Sequence, residues 1–204
     1  MQDALKSRKK RDTSKKRKTV LDGATEVFIE YGFEAASMDR IAEVAQVSKR
    51  TIYNHFPSKE ILFQAIVAEF LKQSYELKPI SYTSDLSLEE QLREFADAEL
   101  YLIDDPVRRG LSKLLTATFL MDIEFGKATR SQYKPHADFI AWLHKAKADE
   151  QIDFESPELA ARMFYGMVEG CLTWGALFSD GENLKNAGPV LDEIIRVFLA
   201  CYGR

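Results

Sequence analysis

Apolar residues recur along this chain at intervals of three and four almost throughout, and nowhere in the strict alternation of a half-buried strand. Val20, Ala24, Val27, Phe28 and Tyr31 make the first such stripe and predict a helix from about Thr13 to Tyr31. Gly32 stands where a left-handed C-cap falls, with Phe33 placed to fold back onto the last turn. A short helix follows from about Met38 to Ala45, capped by Ser37, with Ile41, Ala42, Val44 and Ala45 inward. Gln46 and Val47 form a tight turn, and Ser48 can cap a third helix reaching Phe56. Pro57 stops that helix, and Ser58 can cap a longer fourth one beginning at Lys59.

Past residue 80 the predicted helices lengthen. Ser87 and Glu90 have the spacing of a capping box, and Asp104-Asp105-Pro106 is a break that also starts the next helix. That helix carries Leu111, Leu114, Leu115, Thr118 and Phe119, and a less regular stretch from Met121 to Pro135 follows it. Further helices run through Ile140, Trp142 and Leu143, from Ser156-Pro157 to Phe178, and from about Val190 to Tyr202. There is no strand-period segment and no internal repeat, so the fold class expected is all-α.

The second and third helices are short and joined by a three- or four-residue turn, the common device for entering a major groove. Val47, Ile41 and Ile52 would form the small core beneath the crossing, with Phe56 one turn beyond Ile52 and Ala42 small enough for close approach. This leaves Lys49, Arg50, Thr51, Tyr53, Asn54 and His55 on the outward side of the third helix. Such groups hydrogen-bond to phosphates and base edges or touch a thymine methyl. Tyr53 has a second reading as packing against the first helix, and His55 as a cap or core-edge residue.

The segment "MDRIAEVAQVSKRTIYNHFPSKEILFQAI", with "YGFEAASM" before it, resembles the DNA-binding segment of the TetR/AcrR family of bacterial transcriptional regulators. The likeness is specific over about residues 14 to 66, and "DFESPELAARMFYGMVEG" also looks like the regulatory domain of AcrR-type members. It implies an N-terminal three-helix DNA-binding head, a larger helical ligand-binding and dimerisation domain, and a homodimeric, ligand-responsive repressor. On this reading Lys49, Arg50, Thr51 and Asn54 are candidates for base edges. Tyr53, His55 and Lys59 match positions that usually grip phosphates, and Ser37 and Ser48 add contacts at helix N-termini. Gln46 departs from the family's usual glycine; a left-handed conformation there would cost about 1–2 kcal/mol.

Charge sharpens the picture. Residues 1–59 hold 13 Lys and Arg against 8 Asp and Glu, whereas the remainder holds 15 against 24. The first twenty residues alone hold nine basic and two acidic side chains. A basic run standing alone is usually a solvated tail, but this one precedes a helix-turn-helix and is placed to meet a polyanion. The organisation expected is a basic flexible arm over residues 1–12, a DNA-binding domain over 13–58 and a regulatory and dimerisation domain over 59–204.

A single helix-turn-helix reads few base pairs, so two-fold pairing is expected. The candidate faces lie on the last two long helices, at Met167, Cys171 and Phe178 and at Leu191, Ile195 and Phe198. By periodicity alone these residues serve an intrachain core equally well, and it is the resemblance that favours a dimer. Phe95, Tyr101, Phe119, Trp142, Phe164 and Trp174 are candidate pocket residues, suited to an apolar or aromatic small-molecule inducer.

The remaining features exclude other classes. No apolar run is long enough for a membrane span, and no secretory signal opens the chain. Cys171 and Cys201 lie far apart without metal-ligand spacing, pointing to a reducing cytoplasm and no disulfide framework. His136 and His144 are too widely spaced for a helical metal pair, and no phosphate loop or zinc-protease pattern occurs. The expectation is no metal, no cofactor and no catalytic residue. The partners expected are a double-stranded DNA operator, a second copy of the chain and a small inducer. The alternative is a ligand-independent or architectural DNA-binding protein controlled by a protein partner.

Overall fold

The computed structural model describes residues 2–75, 80–132 and 136–204, and within them the side chains of residues 14–70, 72, 80–128 and 136–204. Among the described residues there is no strand, only an isolated bridge between Ile152 and Gly203. The chain divides into two compact units, Met1–Lys72 and Gln73–Arg204.

The first unit contains α1 (Gln2–Ala35), α2 (Met38–Val44), α3 (Lys49–His55) and most of α4 (Lys59–Tyr75). Its core takes the expected stripe of Val20, Ala24, Val27 and Phe28 and closes it with Ile41, Ile52, Phe56, Leu62 and Phe63. Phe33 does fold back: its ring lies 5.7 Å from Phe28 and 4.9 Å from Phe63. These aromatic contacts to Phe63 tie α4 to the first unit, so the boundary falls at Lys72 rather than at residue 59. Tyr31 and Val44, expected inward, are exposed. The Tyr31 ring instead carries the Arg40 guanidinium 4.0 Å from its centre. The basic segment expected as a flexible arm is helical from Gln2, continuous with α1, while its side chains lie outside the described residues.

The second unit comprises α5 (Leu88–Leu100), α6 (Pro106–Met121), α7 (Ile123–Gln132), α8 (Ala137–Ala148), α9 (Pro157–Val168), α10 (Trp174–Phe178) and α11 (Ala187–Tyr202). A π-helical turn, Glu169–Thr173, joins α9 to α10, and a 3-10 turn, Glu182–Asn186, leads into α11. The stretch expected to be irregular thus holds a helix, α7, up to Gln132. Caps fall where the sequence places them: Ser87 and Glu90 form the capping box, and Ser156 accepts from the Leu159 N–H.

Phe139 is the hub of this core, stacked on Phe164 at 4.8 Å and meeting Phe95 edge-on at 4.9 Å. Gln91, buried beneath it on α5, accepts from Trp142 Nε1 at 2.9 Å and from the Thr83 N–H at 3.0 Å. Its amide nitrogen donates to the carbonyls of Thr83 and Leu86. A buried glutamine satisfied on both ends fixes the ring it holds, because losing one partner would strand polar atoms in the core.

The π turn has a consequence for everything after it. An unbroken helix burying Ala161, Phe164 and Val168 would next turn in Cys171 and Gly175. The π turn accommodates one extra residue, so Leu172, Ala176 and Leu177 are buried instead, leaving Cys171, Trp174 and Phe178 exposed.

Candidate nucleic-acid interface

The turn between α2 and α3 closes as a Schellman motif: the Val47 N–H donates to the Ala42 carbonyl and the Gln46 N–H to the Glu43 carbonyl. The motif needs a left-handed residue after the C-cap, and Gln46 takes that conformation with φ 52°. Gln46 therefore does occupy the left-handed position that favours glycine, and the turn keeps its hydrogen bonds despite the side chain. The closest helix approach lies elsewhere. A Cβ on Gly23 of α1 would sit 2.8 Å from that of Ala45, so this glycine lets α1 and α2 touch, a role its sequence position did not announce.

With Ile52 fully buried and Phe56 nearly so, α3 is pinned by its inner face. Arg50, Tyr53 and Asn54 point outward and are exposed. Among the described residues, Arg50 and Asn54 make no hydrogen bond or ion pair, which leaves their donors for a ligand outside the chain. The other expected contacts carry local duties. Ser48 accepts from the Thr51 N–H, and the two hydroxyls share a hydrogen bond of 2.8 Å. Ser37 caps α2 by accepting from the Arg40 N–H at 3.2 Å. Lys49 pairs with Asp39 of α2 at 2.9 Å, an exposed ion pair that raises the lysine's pKa chiefly through the hydrogen bond to that carboxylate. His55 is half-buried beside Phe56, its ring centre 6.3 Å away.

Lys59 departs most from expectation. Its ammonium donates to the carbonyls of Phe33, Glu34 and Ala36 at 2.7, 3.1 and 3.2 Å and lies over the Phe33 ring. An ammonium has three donors, and here all three satisfy carbonyls at the end of α1 that lack helical partners. Lys59 is therefore a cap for α1, not a free phosphate grip. Exposed cations from α1 add to the surface that α3 presents: Lys15 and Lys18 are exposed, and the Arg17 guanidinium lies 5.2 Å from the Phe56 ring centre.

The structure does not gather the candidate pocket residues of the second unit into one site. Phe95, Trp142 and Phe164 belong to the packed aromatic core around Phe139. Tyr101 lies under the Arg108 guanidinium at 3.8 Å, and Phe119 faces Phe125 at 5.9 Å. Trp174 is 45% exposed and stacks on Phe178, which is 84% exposed.

The candidate dimer residues also split. Leu191, Ile195 and Phe198 are buried within the chain's own core, because the apolar face of α11 is used against α5 and α9. They are not available to a second copy. Met167 is half-buried against the core, whereas Cys171 and Phe178 face outward. Beside those two, Met163 and Trp174 are exposed, and added side chains at Gly166 and Gly170 would meet nothing within 4 Å.

Comparison with known proteins agrees for both units. The model for bacterial regulatory proteins of the tetR family matches residues 20–66, and that for the C-terminal domain of AefR-like transcriptional repressors matches residues 90–204. The chain is 39% identical to the HTH-type transcriptional regulator RutR of Escherichia coli K12, covering 72% of this chain and 71% of that one. It is 25% identical to the regulator SrpR of Pseudomonas putida over 81% of this chain and 78% of SrpR. A solved TetR-family regulator from Mesorhizobium loti superposes with a TM-score of 0.79 at 25% identity, covering 94% of this chain and 98% of the other.

Proposed function

Since the chain belongs to the TetR family of DNA-binding transcriptional regulators, we propose that it works as a homodimeric repressor whose two α3 helices read the half-sites of one operator. The family is one of regulators and not of enzymes. The observation that carries the reading is the surface of α3: an inner face locked by Ile52 and Phe56 and an outer face offering Arg50, Tyr53 and Asn54. A guanidinium and an amide are the side chains that read guanine and adenine edges in bidentate fashion, while Tyr53, Lys49 and the exposed cations of α1 suit phosphates. Residues 1–12 are proposed to follow the duplex backbone; the salt dependence of affinity in a chain lacking residues 1–11 would be flatter if they do.

The face proposed for the second copy is Met163, Gly166, Gly170, Cys171, Trp174 and Phe178. Large exposed apolar groups beside glycines without intrachain neighbours suit a close approach of two helices. The larger unit is proposed to take a small, largely apolar effector whose binding changes the separation of the two α3 helices, so that both no longer fit their half-sites. Among the described residues no helix is long and apolar enough to cross a membrane.

Sedimentation of the chain with a duplex selected from a random pool tests the reading. Two chains per duplex, and a dimer in the absence of DNA, are expected. A chain that is monomeric at concentrations where it binds the duplex specifically would overturn the dimer.

A further inference from the structure

Lys49 and Arg50 are neighbouring cations at the start of α3, yet their surroundings differ. Among the described residues Arg50 makes no hydrogen bond or ion pair. The Lys49 ammonium lies against both carboxylate oxygens of Asp39 in the first turn of α2, 2.9 Å from Oδ1 and 3.0 Å from Oδ2. The contact bridges the two helices of the helix-turn-helix across its outer surface.

Folding does not account for this pair. Its side chains are 48% exposed at Lys49 and 68% exposed at Asp39, and an ion pair so placed adds little to stability. Ile52 and Phe56 already pin α3, and the Schellman turn already joins it to α2. Lys49 is also the first residue of its helix, where the unpaired N–H groups disfavour a cation. Arg40, next to Asp39 in sequence, is turned onto the Tyr31 ring.

What the pair does is take one positive charge out of the surface offered to DNA. A lysine there suits a phosphate by its type, but an ammonium held between two carboxylate oxygens displaces no counterion from the duplex until it lets go. Letting go leaves the Asp39 carboxylate facing a polyanion, which opposes the exchange. We propose that Asp39 withholds the Lys49 ammonium from the phosphates and thereby sets how tightly the protein grips DNA of any sequence. The inference rests on the reading in which α3 faces the duplex, and it makes Asp39 a positioning residue acting through Lys49. Phosphate contacts carry no sequence information, so the restraint weakens binding to selected and random duplexes alike. The choice between them is left to Arg50 and Asn54, and the regulator is less sequestered by random DNA.

The test is a double-mutant cycle of Asp39→Ala and Lys49→Met in the full chain, with affinity for a selected and a random duplex measured against salt. Asp39→Ala is expected to steepen the salt dependence by about one phosphate contact and to tighten binding to both duplexes roughly threefold in dilute salt. Lys49→Met added to Asp39→Ala should take that whole gain away, whereas in the parent chain it should cost less than about half as much slope. Loss of the full increment from Lys49→Met in the parent overturns the inference, because the lysine would already be on a phosphate. An equal gain from Asp39→Ala in the Lys49→Met chain also overturns it, making Asp39 a repulsive charge that acts alone. So does a changed sequence preference in Asp39→Ala, which would place Lys49 on a base edge. Arg50→Ala is measured beside the cycle. If it weakens binding while Asp39→Ala has no effect, the inference falls and α3 keeps its place on the duplex. If neither has an effect, the reading of α3 falls and takes the inference with it.

Discussion

The two units of this protein use their polar residues in opposite ways. In the first unit the polar groups that matter lie outside the core, on the surface of α3 left over once Ile52 and Phe56 are turned inward. In the second they lie within it: Gln91 holds Trp142, the Glu99 carboxyl on α5 is enclosed by protein, and among the described residues the buried Thr173 hydroxyl in the π turn has no hydrogen-bond partner. A site on the outside of a helix is the complement of its apolar stripe and can be read from periodicity. A site inside is written as exceptions to the stripe, and its composition reveals little until neighbouring helices are in place.

Substitutions in the two units test that contrast. The largest effect is expected at Phe178, whose ring is exposed on the face proposed for the second copy. Phe178→Glu should weaken operator binding on the order of 100-fold, in line with loss of a central aromatic anchor, and shift sedimentation to the monomer. Unchanged affinity and mass would remove this face from the dimer.

Next comes Glu99. Its folded pKa of about 7 lies above the ordinary 4.5, so the folded chain holds the proton more tightly than the unfolded one. Stability is then greatest below pH 4.5, falls as pH rises from about 4.5 to about 7, and levels off above. Glu99→Gln escapes this loss, and at pH 8 it should be more stable than the parent by at most about 3 kcal/mol. The two should converge near pH 4 in chemical denaturation. A pH-independent difference would mean that Glu99 is not enclosed.

Lys59 tests the first unit from the other side. Removing an ammonium that serves three carbonyls should cost roughly 1.5–3 kcal/mol, so Lys59→Met should lower the melting temperature. The salt slope of DNA binding should stay as it was. A slope reduced by about one would return Lys59 to the phosphates. The smallest effect is at Gln46, where φ is 52°: Gln46→Gly should stabilise the chain by about 1 kcal/mol, as glycine adopts this conformation without the Cβ penalty. A loss of stability would show that the side chain contributes more than the strain removes.

Much of the first unit was legible because each local signal had one outlet. Ser37, Ser48 and Ser58 cap the helices they precede, and Gln46 took up the left-handed position that a Schellman turn demands. The sequence position of Lys59 fits a phosphate contact, whereas its reach to the Phe33, Glu34 and Ala36 carbonyls depends on how α4 returns to α1. In the second unit, Trp142 and Trp174 were equal candidates for a pocket. Only the phase set by the π turn and the hydrogen bond from Gln91 show one to be core and the other surface. Leu191, Ile195 and Phe198 form an apolar face that suits a partner chain or the chain's own core equally, and α5 and α9 already occupy it. Glu99 stands out in the sequence as a lone carboxylate on an apolar stripe, but its enclosure is a fact of three dimensions.

The central claim is that α3 reads base edges from a face fixed by Ile52 and Phe56, with Arg50 as its principal donor. Selection of bound duplexes from a random pool, carried out in parallel with the parent chain and with Arg50→Ala, tests it most directly. The parent should select a two-fold symmetric site whose halves lie a whole number of helical turns apart, about 10–10.5 base pairs per turn. Arg50→Ala should lose preference at one position in each half and about 1–3 kcal/mol of affinity for that site. Identical selected sequences from both chains, with equal losses on selected and random DNA, would contradict it and place Arg50 on the phosphate backbone.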